Sequence, residues 1–240
     1  MLNERHMTRM SRRLRSDESG FTLIELLTAM TLGMLLLFAA LMLLDHSTAL
    51  TKQITDRQDA VQRGRQAMEL MVRDLRSQVC LGDETEPITV ARDDRVTFYA
   101  DLSDGTTDVQ QRTIRYDAAT KSLIEDIHIG TGIYPDLVYP AAPTRSRLLL
   151  ANVEPVVDAG VPRPILRFYA FRDGGVPGDL EQLATPLIAD DAIRTVMVKI
   201  AFVALPDGVR PRSQDATMLE SDVYVRLADP STPTEGPRCI

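Results

Sequence analysis

The chain has 240 residues, 44% of them apolar, and a formal net charge of −7. That length suits one ordinary domain with an additional segment, or two small domains. The acidic balance argues against a nucleic-acid surface, which is normally basic, and the two cysteines and three histidines show no zinc-site spacing.

The charge is unevenly placed. Residues 1–20 hold Arg5, Arg9, Arg12, Arg13 and Arg15 against Glu4, Asp17 and Glu18, which leaves −9 on the remainder. From Phe21 to Leu44 run 24 residues with one charge, Glu25, and no proline. A helix of that length, at about 1.5 Å per residue, spans a hydrocarbon core of about 30 Å. The arginines before it place the N-terminus on the cytoplasmic side by the positive-inside rule. The competing reading is a cleaved secretory signal cut after Ser47-Thr48-Ala49, but the run is long for an h-region and opens on an acid.

All 14 prolines lie between Pro87 and Pro237, so the first 86 residues read as one long helix leading into a different kind of domain. Beyond the apolar run, Leu50, Ile54, Val61, Met68, Met71 and Leu75 fall at helical spacing and predict an amphipathic stretch over residues 45–80. Gly64 interrupts it, at a cost of about 1 kcal/mol against alanine, and predicts a bend or a close packing. After Pro87 the period changes to two. Strands are predicted over Asp94–Leu102, Arg112–Asp117, Ser122–Gly130, Arg145–Val153, Ile165–Phe171, Ile193–Leu205 and Ser221–Ala228. Turn signals at Ser103-Asp104-Gly105, Asp117-Ala118-Ala119-Thr120, Asp173-Gly174-Gly175 and Pro206-Asp207-Gly208 separate them. The expectation is an α+β protein: a long N-terminal helix, transmembrane and then amphipathic, packed on an antiparallel β-sheet head over residues 81–240.

"GFTLIELL", beginning at Gly20, resembles the class III prepilin signal of type IV pilin-like proteins: a glycine, a cut, a hydrophobic residue, and a glutamate at the fifth mature position. The resemblance implies that residues 1–20 are a leader peptide, that a prepilin peptidase cuts between Gly20 and Phe21, and that the new amine of Phe21 is methylated. It also implies a role in subunit assembly for Glu25, which would pair with the Phe21 amine of a neighbouring subunit. An unpaired charge inside a bilayer costs about 2.5–3.5 kcal/mol on insertion scales, so such pairing would offset a real penalty. "RGRQAMELMVRDLRSQVC", "LLLANVEPV" and "ILRFYAF" resemble segments of minor pilins and pseudopilins of the PilW/GspJ type. The implied partners are the prepilin peptidase, other minor pilins or pseudopilins, the major pilin and an inner-membrane assembly platform. The implied location is a single-pass inner-membrane protein with its head in the periplasm.

No G-x-S-x-G, P-loop, H-E-x-x-H or metal-ligand cluster occurs, so no enzyme, cofactor or metal is expected. Asp101, Asp104 and Asp108 around Gly105 miss the EF-hand spacing and read as a solvated turn rather than a calcium site. His128 alternates with Ile127 and Ile129 and is expected on the polar face of a strand, without a role. Cys80 and Cys239 are expected to form a disulfide in an oxidising compartment, unrelated thiols being the other reading. Two functions emerge as expectations: a filament subunit that primes or caps a type IV pilus or type II secretion pseudopilus, or an adhesive, ligand-binding or cargo-binding anchored module.

Overall fold

The computed structural model describes residues 20–82, 86–102, 109–172, 178–207 and 217–224. Helix α1, Leu23–Arg76, carries the proline-free stretch without interruption. Contacts divide the chain into two units, Met1–Gln53 and Ile54–Ile240.

In the first unit, α1 is apolar all round from Leu26 to Leu44, and every side chain from Phe21 to Lys52 is exposed. A helix with no polar face fits a lipid surrounding, and this one is long and apolar enough to cross a membrane. Its threonines turn inward on the backbone. Thr28 Oγ1 donates to the Glu25 carbonyl at 3.0 Å and Thr31 Oγ1 to the Thr28 carbonyl at 2.9 Å, so neither hydroxyl is left unpaired in apolar surroundings.

The second unit holds the strands β1 (Ile88–Arg92), β2 (Arg95–Ala100), β3 (Gln110–Asp117), β4 (Ser122–Ile129), β5 (Arg145–Leu150), β6 (Val153–Glu154), β7 (Val157–Asp158), β8 (Val161–Pro162), β9 (Leu166–Phe171) and β10 (Leu180–Gln182). After a short helix α2 (Ala189–Arg194) come β11 (Met197–Ala204) and β12 (Thr217–Tyr224). The α+β expectation holds, with a correction in the sheet. The strands divide between two antiparallel sheets, β1-β2-β3-β4-β5 and β10-β9-β11-β12, with β6 also on β11 and a separate β7–β8 pair. One core joins them to the helix. Met68, Met71 and Leu75 of α1 are buried with Val96, Phe98 and Ile114 of the first sheet and Phe168, Ile200 and Phe202 of the second. Alternate residues of β2 (Val96, Phe98, Ala100) point into this core, as the period of a strand requires.

The β3–β4 hairpin closes through an Asx turn: Asp117 Oδ1 accepts from the Ala119 amide at 2.9 Å. The Thr120 side chain and the Ala119 amide together hold the Asp117 carboxyl below its ordinary range.

Several predicted boundaries move. Ile193 and Arg194, expected at the head of a strand, belong to α2, where Asp190 and Asp191 lie in the first turn and Arg194 in the last. Charges in that order favour the helix dipole and outweigh the β-branched Ile193. The strand itself starts at Met197. β12 runs over Thr217–Tyr224, four residues earlier than expected at its start, because Thr217 pairs with Ala204 and Tyr224 with Met197. Residues 225–228 of that expectation, and the turns at Ser103-Asp104-Gly105 and Asp173-Gly174-Gly175, lie outside the described residues, as does Gly208 of the last one. β1 and β10 were not anticipated.

The amphipathic stripe is also offset. Leu50 and Ile54 are 47% and 58% exposed, whereas Ala60, Gly64, Ala67, Met68, Met71, Asp74 and Leu75 are buried. Gly64 lies on this buried face. A Cβ there would overlap Leu219 Cδ1 and stand 3.1 Å from the Ala204 Cβ, so α1 packs closely on β11 and β12 at this glycine. Of the two roles predicted for Gly64, close packing is the one found. Gly64→Val is therefore expected to destabilise the β-rich unit by about 1–3 kcal/mol through overpacking. Chemical denaturation of the full chain in non-ionic detergent checks this, and an unchanged midpoint would contradict the contact.

Candidate functional site

Gly20, Phe21 and Glu25 lie within one short stretch at the start of α1. Gly20, Phe21 and Thr22 are non-helical, and the helix begins at Leu23. Phe21 is 82% exposed, and nothing lies within 4 Å of where a Gly20 Cβ would sit. The Gly20–Phe21 peptide is thus an exposed, non-helical bond just ahead of a helix. Nothing in the packing of the described residues demands glycine there.

Thr22 is the helix cap, a role not anticipated from the sequence. The Glu25 amide donates to Thr22 Oγ1 at 3.3 Å and to the Thr22 carbonyl at 3.0 Å. Threonine at the N-cap with glutamate three residues later is the capping-box spacing, legible in "TLIE" once sought. Glu25 is the acid of the first turn, where the helix dipole favours a negative charge. The residues around the candidate cut therefore have a local structural logic as well.

Residues 15–41 match the protein family described as the prokaryotic N-terminal methylation motif. The chain carries a type IV pilin-like prepilin signal. The match covers the end of the basic segment, the Gly20–Phe21 bond, Glu25 and most of the apolar run of α1. No curated protein matches the chain. The prepilin signal thus ends well before the β-rich unit begins, and the role of that unit must be read from its own residues.

Two features of the β-rich unit were not seen in the sequence. The first is a buried charge cluster. Asp74 of α1 and Glu125 of β4 are 1% and 0% exposed. Arg112 of β3 bridges them, at 3.3 Å from Asp74 and 2.6 Å from Glu125, and Arg147 of β5 does the same at 3.2 and 2.5 Å. Arg73 adds a contact to Asp74 at 3.2 Å. Burial pushes the Glu125 carboxyl up, the hydrogen-bonded Asp74 beside it adds to the rise, and Arg112 and Arg147 oppose it. The cluster fixes the end of α1 on three strands of the first sheet.

The second feature is a polar hollow of about 520 Å³ on the opposite face of that sheet, with Arg95, Thr97, Thr113, Arg115, Asp126 and His128 in its lining. Arg115 Nε donates to Asp126 at 2.6 Å, as does Ser146 Oγ. Burial alone would raise the Asp126 carboxyl, but these two donors hold it below its ordinary range. His128 does lie on this polar face, yet it is buried, with Nδ1 2.8 Å from the Pro140 carbonyl. The Pro140 oxygen can only accept, so Nδ1 carries the proton.

Cys80 is disulfide-bonded; Cys239 lies outside the described residues. Of the acidic turn, Asp104 and Asp108 also lie outside them. Among the described residues no group of three or more His, Cys, Asp or Glu is arranged to hold a metal ion.

Proposed function

We propose that this chain is a minor pilin or pseudopilin: a structural, non-enzymatic subunit that primes or caps a type IV pilus or a type II secretion pseudopilus. The observation that carries the reading is the prepilin signal over residues 15–41, with its candidate cut at an exposed, non-helical Gly20–Phe21 bond. On this reading the basic leader stays cytoplasmic, and residues 21–44 wait in the inner membrane with the β-rich head on the periplasmic side. A prepilin peptidase removes residues 1–20 and the amine of Phe21 is methylated. The cut leaves a positive amine four residues from Glu25, and each group then lacks a partner in lipid. Pairing Glu25 of one subunit with the Phe21 amine of the next would remove both penalties and set a register along a bundle of helices. Partners would be other minor pilins, the major pilin and the assembly platform. A disulfide between Cys80 and Cys239 would close a long loop, worth on the order of 5 kcal/mol in the chain-entropy model.

The test is the N-terminus of the membrane-extracted protein, by intact and peptide mass spectrometry, with and without the prepilin peptidase. The expected result is a chain beginning at N-methylated Phe21 only when the enzyme is present. A chain that keeps its arginines in the enzyme's presence, or begins at Leu50, would end the reading. An anchored adhesive or ligand-binding module is the second reading, favoured by the polar hollow of the first sheet. Filaments that assemble normally but lose binding would support it.

A further inference from the structure

The pairing of β1, β2 and β3 sets three arginines side by side. Arg92 lies directly opposite Arg95, and Arg95 directly opposite Arg115. Directly paired residues of antiparallel strands point to the same face, and like charges in that position are destabilising. Available acids relieve this only in part. Arg115 is held by Asp126 at 2.6 Å, while Arg95 meets Asp94 at 3.6 Å, beyond good hydrogen-bond length. Arg92 has no ion pair among the described residues, and Arg95 Nε is buried with no hydrogen-bond partner among them. Asp93, which follows Arg92 in the chain, accepts a hydrogen bond from Thr185.

The next row across the same face consists of Thr97, Thr113, Asp126 and Ser146. Thr97 and Thr113 share a hydrogen bond of 2.8 Å, which leaves lone pairs and one hydroxyl proton for a further group. Beyond it lie Gln111 and His128, themselves directly paired. A polar hollow of about 520 Å³ therefore has the guanidinium groups of Arg95 and Arg115 along one side, and hydroxyls, an amide, the His128 ring and the Asp126 carboxylate, already neutralised by Arg115, along its floor. All of this sits in a chain of net charge −7, where a row of cations has no general role in solubility.

We propose that this hollow binds an anionic group, a phosphate or a carboxylate carried by a ligand, with Arg95 as its charge partner, Thr97 and Thr113 as hydroxyl contacts, and Arg92, outside the lining but paired with Arg95, as a flanking positive charge. Arg115 is a positioning residue, held by Asp126 and closing the row. An arginine fork accepts either anion in a bidentate, charge-assisted contact, which also offsets the repulsion within the row. The inference does not depend on the prepilin signal, since the hollow and its lining lie wholly within the β-rich unit.

The experiment is an NMR titration of the full chain in non-ionic detergent, following the Arg95 Nε–Hε resonance. Inorganic phosphate is added in one arm and glucuronate in the other, each against potassium chloride at matched ionic strength. The expected result is a saturable shift in at least one arm, and the arm with the lower dissociation constant identifies the preferred anion. Arg92→Gln, an exposed position in the same row, should weaken binding at least threefold with an unchanged melting temperature. Arg95→Gln, read on the Thr97 and Thr113 amides, should weaken it at least tenfold. No saturable shift above the chloride control in either arm, or unchanged affinity in both variants, would overturn the proposal.

Discussion

Asp74→Ala is expected to destabilise the unit Ile54–Ile240 by about 3–5 kcal/mol, the usual cost of breaking a buried ion pair by removing one partner. The loss is not that of a surface salt bridge, because Asp74 is almost fully enclosed and Arg112 would be left facing Glu125 alone. Chemical denaturation of the full chain in detergent reads it, and a change under 1 kcal/mol would mean that the cluster is not holding α1 on the first sheet. The pH dependence gives an independent reading of the same contact. Burial and the adjacent Asp74 raise the Glu125 carboxyl above its unfolded value. A raised acid contributes stability that is fully present below the ordinary carboxyl range and is lost as pH rises through the folded value. Asp74→Asn removes the neighbouring charge, so the Glu125 value should fall and that sloping pH window should narrow from above.

Glu25→Ala is expected to leave processing at Gly20 intact while lowering incorporation into filaments at least tenfold. The cause is the proposed pairing. A lone carboxylate within the membrane helix costs about 2.5–3.5 kcal/mol on insertion scales, so alanine makes the single subunit more comfortable in lipid while removing the partner of the Phe21 amine. The measurement is the ratio of processed chain in sheared filaments to chain in the membrane fraction. Incorporation equal to the parent would remove Glu25 from assembly. Retention of the leader would instead place its role in recognition by the peptidase.

What could be read from the sequence was whatever announces itself locally. Gly20, Phe21 and Glu25 sit within six residues, and the strands β2 to β5, β9 and β11 each carry their own alternation. What escaped was set by partners far along the chain. Ala60, Gly64 and Ala67 are three of the seven buried residues of α1. Small residues contribute little to a hydrophobic period, so the stripe drawn through Leu50 and Ile54 missed them. Nothing local marks Asp74 and Glu125 as buried, since acids usually lie on the surface; only the meeting of α1, β3, β4 and β5 supplies the two arginines that let them stay inside. The row Arg92, Arg95 and Arg115 exists only in the register of three strands. Thr22 was the avoidable miss, because a threonine three residues before a glutamate is itself a helix-start signal.

Thr28 and Thr31 donate their hydroxyls to carbonyls of their own helix. A segment that settles its polar groups internally has little chemical memory of its surroundings: hydrocarbon chains and the side chains of a neighbouring helix are nearly equivalent solvents for it. Between Phe21 and Leu44 only Glu25 carries a charge and can tell the two apart. On the proposed function, the passage of this helix from lipid into a bundle would then be decided by Glu25 and the new Phe21 amine, with the remaining surface neutral.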